Sequence, residues 1–83
     1  MDAVRGMVVL SKAGRDKGKF LVICSLDGRF AFVADGKERP LERPKRKNLL
    51  HLAFTKTVVP ETAFRSDKEL RKTLHSLDSK EVS

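Results

Sequence analysis

Two stretches of the chain concentrate side chains able to grip an anion. The first runs Ser-Lys-Ala-Gly-Arg-Asp-Lys-Gly-Lys-Phe-Leu-Val-Ile from Ser11 to Ile23. Apolar runs flank a polar loop with glycines at Gly14 and Gly18, cations at Lys12, Arg15, Lys17 and Lys19, and one anion, Asp16. Glycine accepts positive φ angles that a side chain resists, so such a loop can turn sharply and hold backbone amides near a ligand. The excess of cations makes that ligand anionic. Phosphate contact by Lys12, Arg15, Lys17 and Lys19, helped by amides near Gly14 and Gly18, is the chemistry expected. Cations facing nucleic-acid phosphates release condensed counterions, which gives affinity independent of sequence. The plainer alternative is a solvated hairpin loop that happens to be basic.

The second stretch, Arg39 to His51, carries Arg39, Arg43, Lys45, Arg46 and Lys47 against Glu42 alone. Arginine can fork two hydrogen bonds to a phosphate or stack on a base, whereas lysine acts as a point charge. Pro40 and Pro44 stiffen the segment, which lowers the cost of ordering its cations on binding. Asn48 could read a base edge or cap a turn, and capping is the more common use. Again, the bland alternative is a charged, solvated loop.

Other chemistries find little support. A mononucleotide P-loop needs four residues between its glycines, then Lys and a hydroxyl, before a helix. Here Arg-Asp-Lys separates Gly14 from Gly18, Phe20 follows Lys19, and a strand lies behind. Cys24, His51 and His75 are too few and too scattered for a zinc site, which takes about four ligands. Cys24 with His51 could form a nucleophile and base, but Cys24 sits in an apolar run and reads as a buried thiol. Asp27 and Asp35 read as turn formers. No enzyme is expected, and no cofactor. The phenylalanines, Phe20, Phe30, Phe32, Phe54 and Phe64, lie mostly inside apolar strand patterns and read as core. Without Trp or Tyr, phosphate and shape recognition should dominate over base stacking.

The elements that must position these residues follow from length and periodicity. Eighty-three residues with 35% charged side chains and a formal net charge of +7 make one small domain. The sequence pI of about 10.0 fits a nucleic-acid binder. Gly6 to Leu10, Phe20 to Leu26 and Arg29 to Ala34 read as strands, joined by the basic loop and by an Asp27-Gly28 hairpin. The run from Phe20 is nearly continuous in apolar residues, as expected where both faces of a strand are partly covered. Asp35-Gly36 makes a further turn. Lys37 to Asn48 reads as loop, because proline has no amide hydrogen for a central strand. Leu49 to Phe54 reads as a fourth strand, and Thr55 to Val59 as a short fifth stopped by Pro60. Ser66-Asp67-Lys68-Glu69 resembles a capping box. Leu70, Leu74 and Leu77 then recur at helical spacing, which predicts an amphipathic helix over Asp67 to Leu77 with disorder from Asp78 to Ser83. The pattern specifies a mainly β chain, a small barrel of four to five strands with a short C-terminal helix, divided as barrel over 1–60 and tail over 61–83.

The run Gly-Met-Val-Val-Leu-Ser-Lys-Ala-Gly-Arg-Asp-Lys-Gly-Lys, followed by an apolar strand, resembles a KOW motif, with Gly18 at its nearly fixed glycine. Pro44-Lys45-Arg46-Lys47-Asn48 and Leu49-Leu50-His51-Leu52 are similar to the end of one ribosomal branch, the archaeal and eukaryotic large-subunit protein of the fourteen-E type. The resemblance covers Arg5 to Thr55. It departs at Leu50, where the branch has a cation, and the chain from Glu61 onward has no counterpart. The resemblance implies an SH3-like barrel that binds RNA, often on a ribosome, with no cofactor.

Two functions are therefore weighed. One is a ribosome-associated RNA-binding protein, monomeric when free, contacting phosphates through Lys12, Arg15, Lys17, Gly18, Lys19, Arg39, Arg43, Lys45, Arg46, Lys47 and Asn48. Charge reversal at Arg46 and Lys47 is expected to weaken RNA binding and leave the fold intact. The other is an SH3-like interaction module for ribosomal or transcription proteins, docking through the stripe of Leu70, Leu74 and Leu77. The start of the chain has no secretory signal pattern, no apolar run reaches the length of a bilayer span, and the lone cysteine fits a reducing cytoplasm, so a cytoplasmic protein without membrane contact is expected.

Overall fold

The computed structural model describes residues 2–82, residues 78–82 by backbone alone. Five antiparallel strands form one sheet: β1 (Met7–Ser11), β2 (Phe20–Asp27), β3 (Phe30–Ala34), β4 (Lys45–Asn48) and β5 (Leu52–Val58). Their order is β4-β3-β2-β1-β5. The chain meanders through the first four strands, then passes a 3-10 turn at Leu49–His51 and brings β5 back beside β1. This is a small SH3-like barrel. A second 3-10 turn, Glu61–Phe64, leads into the helix α1 (Asp67–Val82).

The nearly continuous apolar runs have a direct cause. Successive side chains of a strand point to opposite faces, and here both faces are covered. Met7 and Val9 of β1, Leu21 and Ile23 of β2, and Ala31 and Val33 of β3 fill the barrel interior with Leu52. Their neighbours Val8, Val22 and Ala34 point the other way and pack against Val59, Ala63, Leu70 and Leu74. The leucine stripe of α1 thus closes a second core on the barrel's own outer face, so it is not left free as a docking surface for another protein. Fully burying a leucine side chain contributes about 1.5–3 kcal/mol, which holds the helix on the sheet.

The start of α1 is fastened as well. The Ser66 hydroxyl accepts from the Glu69 amide at 3.1 Å, the forward half of the expected capping box; among the described residues the return bond is absent. The Asp67 carboxylate accepts from the Leu41 amide at 2.8 Å, and Arg71 donates to the Gly36 carbonyl at 3.0 Å. The helix, expected to end at Leu77 with disorder from Asp78, has a backbone that runs on to Val82; Ser83 lies outside the described residues.

The strand boundaries differ from expectation around the second basic stretch. Lys45–Asn48, expected as loop, is strand β4 at the edge of the sheet, paired with β3. Pro44 lies just before it, where the missing amide costs no ladder bond. Leu49–His51, expected to begin the fourth strand, is the 3-10 turn, and Leu52–Val58 is one strand where two pieces were expected. Charged side chains suit an edge strand, because they discourage pairing with other chains. Pairing with β3 therefore overrode the loop-like composition.

Candidate nucleic-acid interface

The loop between β1 and β2 carries the first cation cluster. Gly14 and Gly18 take φ of 83° and 86°, the left-handed region that favours glycine. The Lys17 amide donates to the Gly14 carbonyl, Gly18 to Ser11, and Lys19 to Asp16, at 2.9–3.2 Å. These bonds fix the loop, and they correct one expectation: the amides at and beside Gly18 serve the loop itself and are not offered to a ligand. Lys12, Arg15 and Lys17 extend into solvent. Lys19 does too, but its ammonium pairs with Glu38 at 2.9 Å.

Lys47 is the larger correction. Position 47 faces the barrel side of β4, opposite Ala31, and its side chain is only 5% exposed. Its ammonium donates to Asp16 Oδ1 at 2.6 Å, to Ser11 Oγ at 2.7 Å and to the Ala13 carbonyl at 2.8 Å. All of its donors are used inside the protein, so it is unavailable to phosphate. The Ser11 hydroxyl lies 3.0 Å from both Asp16 Oδ1 and the Ala13 carbonyl, between which its one hydrogen is shared. Burial alone acts to raise the Asp16 carboxyl. The bonds from Lys47 and Ser11, with the charge of Lys47, outweigh it and hold the carboxyl below its ordinary range. Reversing the charge at Lys47 would place two anions together in a buried site, so that change cannot leave the fold intact.

The pair has a geometric consequence. It fastens the basic loop against β4, and a shallow groove runs between them. Ala13 and Gly14 form one wall, Lys45, Arg46, Lys47 and Asn48 the other, with Phe30 and His51 at the ends. The Lys12 amide donates to the His51 carbonyl at 2.8 Å, a second tie across this junction. The Arg46 guanidinium carbon lies 3.7 Å over the centre of the Phe30 ring, and the side chain stays exposed. Phe30 is thus half-buried under an arginine instead of packed in the core. The Asn48 side-chain oxygen accepts from the Leu50 amide at 2.9 Å, so this residue does cap a turn; among the described residues its side-chain NH2 has no bonded partner.

The rest of the second basic stretch lies elsewhere. Asp35 accepts from the Lys37 and Arg39 amides at 2.8 and 2.9 Å, and the connection through Arg39 and Arg43 is docked at Leu41 on the start of α1. Neither arginine lines the groove. The structure therefore joins the loop of Lys12, Arg15 and Lys17 with Lys45, Arg46 and Asn48, and leaves Arg39 and Arg43 apart.

Sequence reasoning missed Ser11, Asp16 and Phe30 as parts of this site. A single carboxylate among loop cations was the available sign that one lysine has an internal partner. Cys24, read as a buried thiol, is half-buried; burial pushes it upward in pKa, with the Arg5 guanidinium acting the other way. That guanidinium donates to the Cys24 carbonyl at 2.6 Å and stacks 4.0 Å over Phe64. No protein-family model and no curated protein matches this chain.

Proposed function

We propose that this protein binds RNA, in association with ribosomal RNA or its assemblies in the cytoplasm, and does so through the groove between the β1–β2 loop and β4. The observation that carries the reading is the buried Lys47–Asp16 pair, which fastens one cation-bearing element beside another. The exposed Lys12, Arg15 and Lys17 belong to the loop whose Ala13 and Gly14 form one wall, and with Lys45 and Arg46 on the other wall they give positive charge suited to a phosphate backbone. Asp16, the anion within the loop, is neutralised internally and does not oppose it. The resemblance of Gly6 to Phe32 to a KOW motif points the same way. Duplex DNA fits less well: α1 is committed to the second core, and among the described residues no other α-helix is available to enter a major groove.

Binding of the nuclease-treated protein to a pool of ribosomal RNA fragments, measured at several salt concentrations, tests the proposal. Affinity should fall by about 0.7 log units per phosphate contact for each tenfold rise in salt. Replacing Lys12, Arg15 and Lys17 together by alanine should flatten that slope. Absence of binding at low salt, or an unchanged slope in the triple variant, would overturn the reading.

A further inference from the structure

Resting on the RNA-binding reading, we infer that the groove selects an unpaired RNA base, which lies flat on the outer side of the Arg46 guanidinium. Arg46 differs from the other cations of the site. At 3.7 Å from the Phe30 ring centre, its guanidinium is in van der Waals contact on one side, while the side chain remains exposed. The ring holds in place a planar cation that would otherwise sample many rotamers. Ordering before binding removes much of the entropic cost of a contact. Among the described residues, no carboxylate or carbonyl bonds to Arg46, so nothing competes for its outer side.

The neighbouring residues complete a base-sized site. Arg46 and Asn48 are two apart on β4 and so share a face. Their cross-strand partners are Phe32 and Phe30, which share that face of β3. The Asn48 oxygen is tied to the Leu50 amide, which orients the side chain and leaves its NH2 as a donor for an acceptor on a base edge. Lys45 on the groove wall, and the exposed Lys12, whose amide is tied to His51, supply charge for the flanking phosphates.

This arrangement distinguishes between RNA forms. In a paired A-form helix the base faces are stacked and the major groove is too narrow for side chains. A duplex can offer the groove only phosphates. A bulged or looped-out nucleotide can offer its face, and guanidinium planes are suitable surfaces for it.

The test compares two RNA hairpins of equal length and charge, one with a single-nucleotide bulge and one fully paired, against the whole protein and its Arg46→Lys variant. Lysine keeps the charge and loses the plane, and the site is exposed, so folding is not at stake. The wild-type protein should prefer the bulged RNA by about tenfold, the scale of one stacked base. In Arg46→Lys that ratio should fall to about one. Salt-dependent binding of both hairpins without preference, or a preference that survives in Arg46→Lys, would overturn this inference and leave RNA binding standing. Failure of both hairpins to bind at low salt would overturn the two readings together.

Discussion

Lys47 and Asp16, separated by 31 residues, meet at 2.6 Å inside the barrel and join its edge strand to its basic loop. Each side chain is 5% exposed. A buried charge left without its partner is costly, whereas an intact pair contributes little net stability relative to apolar residues of similar volume. The pair therefore acts mainly to specify where the loop sits. Lys47→Met should destabilise the protein by about 3–5 kcal/mol, because Asp16 is left buried and unpaired. Adding Asp16→Asn should return part of that loss. Urea unfolding midpoints of the single and double variants check the point; costs that simply add would refute the coupling.

The same pair sets an acid limit. The folded Asp16 carboxyl is held below its ordinary value of 3.8: burial acts upward, and the bonds from Lys47 and Ser11 with the Lys47 charge more than offset it. A carboxyl lowered by folding stabilises the folded state at pH above its unfolded value, and that contribution is lost as pH falls through the folded value. Stability should therefore be insensitive to this group near neutrality and decline below about pH 4. Asp16→Asn, though less stable near neutrality, should show a shallower decline. Urea midpoints taken from neutral pH to about pH 2 would read the effect, and parallel curves for the two proteins would refute it.

The fold was legible where local pattern and tertiary role agree. Alternate residues of Met7–Val9 and Leu21–Ile23 serve opposite cores, which is why those runs look uniformly apolar. Asp27-Gly28 announced a hairpin, and Gly28 does take a φ of 60°. The spacing of Leu70, Leu74 and Leu77 announced a helix, though not what it packs on. What remained hidden was long-range. Lys45 to Asn48 contains nothing that favours a strand, and only pairing with β3 makes it one. Lys47 looks like its neighbours until Asp16 is found opposite. Phe30 matched the core pattern because the alternation that places Ala31 and Val33 inside cannot say that Arg46 covers the other face.

Gly36 ties the helix to the sheet by close approach. It is buried at a φ of 78°, and a Cβ there would run into the Asp67 carbonyl at the start of α1 and reach 3.2 Å from Arg71 Cγ. A backbone carbonyl cannot rotate away as a side chain can, so the helix start would have to move. Gly28 is the natural comparison, since its φ is also positive but a Cβ there would meet open space. Gly28→Ala should show only the backbone strain, about 1 kcal/mol. Gly36→Ala carries that strain and the collision, and it loosens the element that supplies Leu70 and Leu74 to the second core. It should be the more destabilised of the two, with faster amide exchange concentrated in α1. Equal losses in both variants would mean that the contact between Gly36 and the helix start does not hold the helix in place.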